Sequence, residues 1–177
     1  MVEYGWRWNR ERLFEPWQIV EGVELPVGSY SFGMHSASVR TSEGRPFGAE
    51  IEFGTGSFFS GTRRQFNFQA TWRKDRHLTT SVQFERNWLS LKEGDFNTSL
   101  VMYRLDYAFT PFISLANFVQ YDTESQNIGL QSRLRWILTP GNEFFIVLNH
   151  AWQEDRFDRF EAAQTRFRMK LNYTFRF

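Results

Sequence analysis

The chain has 177 residues, 21 Lys or Arg against 20 Asp or Glu for a formal net charge of +1, and no cysteine. That length fits one domain or one small barrel. Basic residues scattered through a nearly neutral chain leave no footprint for nucleic acid, and the lack of thiols removes disulfides, thiolate metal sites and cysteine nucleophiles.

Aromatic residues make up 19% of the chain, with 20 Phe, 7 Trp and 6 Tyr, yet its mean hydropathy is −0.50. Aromatics in a polar chain suit alternating strands with one apolar face, and an aromatic-rich soluble sandwich shares that composition. The longest strongly apolar run is Phe144-Phe-Ile-Val-Leu148, too short for a transmembrane helix. Met1-Val-Glu-Tyr-Gly-Trp-Arg-Trp8 alternates and has no apolar core for a secretory signal. An outer-membrane destination therefore implies a mature form or a truncation.

Residues 2–12 place Tyr4, Trp6 and Trp8 on one face of a strand and Glu3, Arg7 and Asn9 on the other. A longer connection with Pro16 and Pro26 follows. Residues 28–41 put Tyr30, Phe32 and Met34 on one parity and continue it with Ser36 and Ser38, which predicts a bulge over 33–37. After Ser42-Glu-Gly-Arg-Pro46, residues 47–59 set Ala49, Ile51 and Phe53 against Glu50 and Glu52. Ser60-Gly61 turns the chain into residues 62–73, where Phe66, Phe68, Ala70 and Trp72 alternate with Gln65, Asn67, Gln69 and Thr71.

Residues 77–89 set Leu78, Val82 and Phe84 against Ser81, Gln83 and Glu85, and 90–96 reads as a polar loop. Residues 97–109 oppose Val101, Tyr103, Leu105, Tyr107 and Phe109 to Arg104 and Asp106. Strands are also predicted over 112–122, 127–138 and 143–152; in the second, Leu134, Trp136 and Leu138 oppose Gln131, Arg133 and Arg135. Thr139-Pro-Gly-Asn142 is a strong turn signal. Residues 153–164 read as a long charged loop.

The closing segment, 165–177, carries Phe167, Met169, Leu171, Tyr173, Phe175 and Phe177 on one face and Arg168, Lys170, Asn172, Thr174 and Arg176 on the other. A last strand ending in such aromatics resembles the assembly signal of bacterial outer-membrane β-barrels. The resemblance implies recognition by the outer-membrane assembly machinery through Tyr173, Phe175 and Phe177.

The pattern predicts about ten strands of about 9–13 residues, enough to cross a bilayer when tilted. Connections after the first, fifth and ninth read as long, and those after the second, fourth, sixth and eighth as turns, the loop asymmetry of outer-membrane barrels, broken by two short connections on the long side at Ser60-Gly61 and 123–126. Eight or twelve strands are the alternatives. The expected fold is an all-β, antiparallel, up-and-down transmembrane β-barrel over residues 1–177, self-closed or a truncation of a larger barrel.

Leu25-Pro-Val-Gly-Ser-Tyr30, Arg45-Pro46, Phe58-Phe-Ser-Gly-Thr62, Arg133-Leu-Arg-Trp136, Pro140-Gly-Asn-Glu-Phe-Phe145, Asn149, Arg156-Phe157 and Tyr173-Thr-Phe-Arg-Phe177 together resemble a family. It comprises large outer-membrane proteins with an N-terminal family-nine carbohydrate-binding-like domain and a C-terminal barrel of unassigned function. The resemblance implies the barrel region alone. Members are several times longer, so a sugar-related role of the binding domain does not carry over.

The chemistry-bearing candidates are the charges on the polar parity: Glu50, Glu52, Glu85, Arg104, Asp106, Arg133, Arg135, Arg168, Lys170 and Arg176. In a narrow pore they set ion selectivity; alternatively they pair with one another and plug the lumen. Ten strands give a backbone radius of roughly 10 Å, and buried charges must pair, so the plug is expected, with Arg168, Lys170 and Arg176 answering carboxylates on other strands.

His35, His77 and His150 have no metal-ligand or dyad spacing. The charged run 153–161 is expected to be solvated and self-paired. Trp6, Trp8, Trp72, Trp88, Tyr107, Tyr121, Trp136 and Trp152 fit interfacial girdles. No phosphate loop, nucleophile elbow or zincin motif occurs.

The expected function is an integral barrel of the bacterial outer membrane, structural or narrow-pore and porin-like. Its expected surroundings are a lipid bilayer or detergent, with no cofactor, metal or catalytic residue. One rival is an outer-membrane enzyme using His150, Glu154, Asp155 and Asp158 at the rim; another is a soluble barrel holding an apolar ligand against inward Phe66, Phe68 and Trp72.

Overall fold

The structure, a computed structural model, describes residues 1–41, 44–155, 157 and 159–175. The alternating segments form β1 (Val2–Leu13), β4 (Gly28–Arg40), β5 (Phe47–Phe58), β6 (Gly61–Arg73), β7 (Leu78–Leu91), β8 (Gly94–Ala108), β9 (Ile113–Asp122), β10 (Asn127–Thr139), β11 (Asn142–Glu154) and β12 (Phe160–Asn172). These make one ten-stranded sheet in chain order, an up-and-down meander. The connection after β1 holds a separate hairpin, β2 (Trp17–Val20) and β3 (Val23–Leu25).

The chain forms two compact units, one of Met1–Glu43, Gly48–Gln69 and Phe84–Ser99, the other of Gly44–Phe47, Ala70–Gln83 and Leu100–Phe177. Residues opposite one another in an antiparallel ladder share a sheet face, so the registers assign faces within each unit. In the first, Gly5, Arg7 and Asn9 oppose Ser36, Met34 and Phe32, and Ser36, Ser38 and Arg40 oppose Gly54, Glu52 and Glu50. In the second, Arg104 opposes Phe118, which opposes Gln131, then Asn149 and then Arg166. Each unit thus has a polar parity, and most of the aromatics stand on the other.

Several expectations are corrected. No bulge interrupts 33–37: the β1–β4 register runs through it unbroken, and the β4–β5 register is unbroken from Met34 onward. Tyr30, Phe32 and Met34 instead belong to the polar face with Ser36 and Ser38, which changes from aromatic to small side chains along one strand. Among the described registers, irregularities fall at Gln18/Val20, Ile137/Thr139 and Ala151/Trp152.

The stretch 90–96 is not a polar loop: Leu91 is buried and a short turn at Lys92–Glu93 leads directly into β8. The predicted loop 153–164 is largely strand, since β11 reaches Glu154 and β12 begins at Phe160. The closing strand ends at Asn172, so Tyr173 and Phe175 lie beyond it, their rings edge to face at 4.8 Å. Phe177 and Arg176 lie outside the described residues.

A conventional core exists in one place. Val23, Leu25 and Leu91 are buried together, with Leu13, Ile19, Val20, Phe58, Phe59 and Phe96 packed around them. Phe59 adopts a left-handed φ of 44° in the β5–β6 turn, which sets its ring 4.8 Å from Phe58, 5.0 Å from Phe32 and 5.1 Å from Tyr30. At Gly56 any Cβ would run into the carbonyl oxygen of Gly33, so glycine lets the two strands close there.

Candidate functional site

The polar parity of the first unit forms a connected network. Arg63 on β6 donates through Nε to Asn87 Oδ1 at 2.9 Å and through Nη2 to Gln65 Oε1 at 3.0 Å. Gln65 donates to Asn67 at 3.2 Å, and Asn67 to Glu52 Oε1 at 3.4 Å. Asn87 donates to Glu85 Oε1 at 2.9 Å and to Thr98 Oγ1 at 3.2 Å, and the Arg63 guanidinium lies 3.8 Å from Glu85. Alternation on neighbouring strands places these side chains on one face. Glu52, Arg63, Gln65, Asn67 and Glu85 line a concavity of about 580 Å³ with Arg7 and Asn9. Phe58 closes part of its wall under Arg63, whose guanidinium carbon is 5.5 Å from the ring centre.

Each predicted carboxylate finds a nearby partner. Glu50 receives Arg40 through two hydrogen bonds, 2.9 and 3.0 Å, across the β4–β5 register. Glu52 and Glu85 belong to the network, and Asp106 is held by Arg104, two residues earlier on β8, at 2.7 Å. Arg135 pairs with Glu143 on β11.

The expected long-range pairing therefore does not form. Among the described residues, Arg133, Arg168 and Lys170 make no ion pair, while Glu50, Glu85, Asp106 and Glu143 are held by Arg40, Arg63, Arg104 and Arg135. The sequence reading missed Arg40, Arg63, Asn87 and Arg166. Parity was a sufficient signal for Arg63, which continues Gln65 and Asn67, and for Arg166, which continues Arg168 and Lys170.

In the second unit the same parity lines a concavity of about 430 Å³ that includes Phe118, Gln120, Gln131, Asn149 and Arg166. Gln131 donates to Asn149 at 2.9 Å. With its amide oxygen toward Arg166, Gln164 accepts from that guanidinium at 3.2 and 2.9 Å.

The opposite parity is apolar and open. Trp6 is 61% exposed, Phe53 48% and Met169 62%, with Tyr4, Trp8, Trp72, Trp88, Tyr107, Trp136, Phe167 and Leu171 also exposed. Tyr121 and Trp152 are half-buried. Phe66 lies on this parity beside Phe84, 6.2 Å between ring centres, opposite to the face of Gln65 and Asn67. The side on which the soluble-barrel alternative needs Phe66, Phe68 and Trp72 is the network's side instead.

The histidines are occupied separately. His35 Nδ1 is 2.6 Å from the Tyr4 hydroxyl, His77 Nδ1 is 2.7 Å from the Ala108 carbonyl oxygen, and His150 Nδ1 is 2.6 Å from Thr165 Oγ1. His150 stands on the apolar parity, edge to face with Trp152 at 4.1 Å. Asp155, named with it in the rim-enzyme alternative, is engaged elsewhere. It accepts from the Phe157 and Arg159 amides at 2.7 and 3.0 Å and pairs with the Arg159 guanidinium. Those amides, Arg159's first, hold its carboxyl below the ordinary range. Asp155 and Arg159 thus pair within the charged run; Asp158 and Arg156 lie outside the described residues. No three metal-ligating side chains cluster among the described residues.

No family model and no curated protein matches the chain. Solved structures similar to it include two porins. One is a KdgM porin in complex with disordered oligogalacturonate, 14% identical, TM-score 0.43, covering 99% of this chain and 95% of that one. The other is a KdgM porin, 13% identical, TM-score 0.43, covering 98% of this chain and 92% of that one.

Proposed function

We propose that the chain is an integral β-barrel of the bacterial outer membrane that encloses a narrow, charge-lined passage. One observation carries this reading: the aromatic and aliphatic parity is exposed on eight of the ten strands and half-buried on β9 and β11, while the polar parity lines the concavities and hydrogen-bonds to itself. In water that arrangement leaves an apolar surface with nothing to cover it. In lipid it is the required one, apolar outward and polar inward.

Strand length supports the same reading. Strands of 10–15 residues in the main sheet rise about 3.3 Å per residue and cover a hydrocarbon core of about 25–30 Å when tilted about 45°. Lipid tolerates no open sheet edge, so the ten-strand series is read as a closed barrel. Delivery by the outer-membrane assembly machinery rests on Tyr173, Phe175 and Phe177, and membership of the large outer-membrane family rests on the sequence resemblance.

The test uses detergent-refolded full chain. Unheated protein is expected to migrate as a compact species on a denaturing gel and to shift on boiling. The same sample is expected to give discrete conductance steps in planar bilayers. A heat shift without conductance rejects the passage and keeps the barrel; solubility without detergent rejects the membrane reading.

A further inference from the structure

The polar face of the first unit turns apolar at one end. Leu13 continues the parity of Arg7 and Asn9 on β1, and Phe32 stands opposite Asn9. Leu91 continues Glu85 and Asn87 on β7, and Phe96 continues Thr98 on β8. A face otherwise given to polar side chains has no use for such a patch unless something covers it.

The β2–β3 hairpin is that cover. Val23 and Leu25 are buried with Leu91, and Leu13, Phe58 and Phe96 pack around them. Leu13, Leu91 and Phe96 stand on the polar parity, so the hairpin lies on the side of the sheet that bears the network and not on the aromatic side. Phe32 and Phe58 also line the concavity of about 580 Å³. The seat of the hairpin is therefore continuous with the wall of that concavity.

The hairpin is attached lightly. Its ladder is its own, with three residue pairs, and forms a sheet separate from the ten strands. It joins them through residues 14–16 and 26–27, which lie in no strand and contain Pro16 and Pro26. The Tyr30 hydroxyl donates to the Pro26 carbonyl oxygen at 2.7 Å, and the Trp17 ring lies 5.7 Å from that of Phe59. Gln18, Glu21 and Glu24 are exposed, which leaves the hairpin with an apolar underside and a polar back. Such an element can lift as a unit, because side-chain packing and not a backbone ladder holds it down, and hinges of this kind sit in short connecting segments.

We propose, on the reading of the polar face as a passage wall, that the hairpin is a hinged lid, closed in this structure, whose lifting about Pro16 and Pro26 opens this end of the first unit's polar face to solutes.

The chain has no cysteine, so Leu91→Cys supplies a single thiol beneath the lid. In the folded full chain in neutral-detergent micelles, that thiol is expected to react with a water-soluble maleimide faster than the protein unfolds globally. Leu25→Ala is expected to speed the reaction about tenfold or more. Val23→Cys with Leu91→Cys, bridged by a short reducible bis-thiosulfonate, gives the closed reference. In planar bilayers the bridged protein is expected to show smaller or rarer conductance steps, recovered on reduction, and Leu25→Ala larger or longer ones.

Heat-modifiable migration verifies the fold of each variant, and Phe96→Cys replaces Leu91→Cys should the latter misfold. Labelling only at the rate of global unfolding, or at a rate indifferent to Leu25→Ala, overturns the lid. Identical steps before and after reduction of the bridge overturn its control of the passage. Silence of every sample in bilayers rejects the passage alone, because labelling in micelles reads the lid without it.

Discussion

Asp75 shows how single residues hold the strand ends in place. Its Oδ1 accepts the His77 amide at 2.7 Å and the Leu78 amide at 3.0 Å, closing the turn from β6 to β7. These backbone donors, His77 first, hold the Asp75 carboxyl below its ordinary range. A carboxyl that is more acidic when folded stabilises above its unfolded pKa, about 3.9, and that stabilisation disappears as pH falls through the lower folded value. Asp75→Ala is therefore expected to lower the urea midpoint at neutral pH, with the gap to the parent narrowing once pH drops below about 3.9. A gap independent of pH would assign the effect to turn propensity rather than to the charge. Arg40 and Glu50 illustrate the opposite limit of sequence reading at this scale. Parity puts Glu50 on the polar face, but only the β4–β5 register brings Arg40 opposite it.

Among the elements, the ten long strands are legible because each is an alternating run, and period two survives as the face assignment. The β2–β3 hairpin is not legible. Its strands have four and three residues, too few to alternate, and the flanking Pro16 and Pro26 read as loop. Leu91 is hidden for a related reason, a lone apolar residue between Ser90 and Lys92 whose burial is provided by the hairpin. An isolated two-stranded hairpin is marginal in water, so this one is held by packing, above all by Leu25, which is 0% exposed. Leu25→Ala removes that anchor at a cost of about 2–5 kcal/mol. In hydrogen exchange, the β2–β3 amides should lose about two orders of magnitude of protection or more, while those of β10 and β11 keep theirs. Uniform loss along the chain would mean that the hairpin is part of the global folding unit.

For the whole molecule, one question separates the readings: whether the aromatic parity meets lipid or water. The sequence supplies both faces but not their environment, because a two-faced strand is compatible with an apolar interior or an apolar exterior. In the first unit the hydrogen-bonded polar network marks which parity is turned to itself, and it does so through residues such as Arg63 and Asn87 that belong to different strands. Phe53, near the middle of β5 and 48% exposed on the aromatic parity, turns this into a measurement. An exposed apolar residue on a soluble protein can become arginine with little consequence, usually within about 0.5 kcal/mol. At the bilayer midplane the same change costs about 2–4 kcal/mol, because a guanidinium must enter hydrocarbon or thin the bilayer around itself. Phe53→Arg is thus expected to reduce folding into lipid vesicles by that amount in reversible denaturant titrations. Glu3→Arg, a charge reversal on the polar parity near the start of β1, should change it far less. Equal effects at the two positions would remove the distinction between the faces and the membrane reading with it.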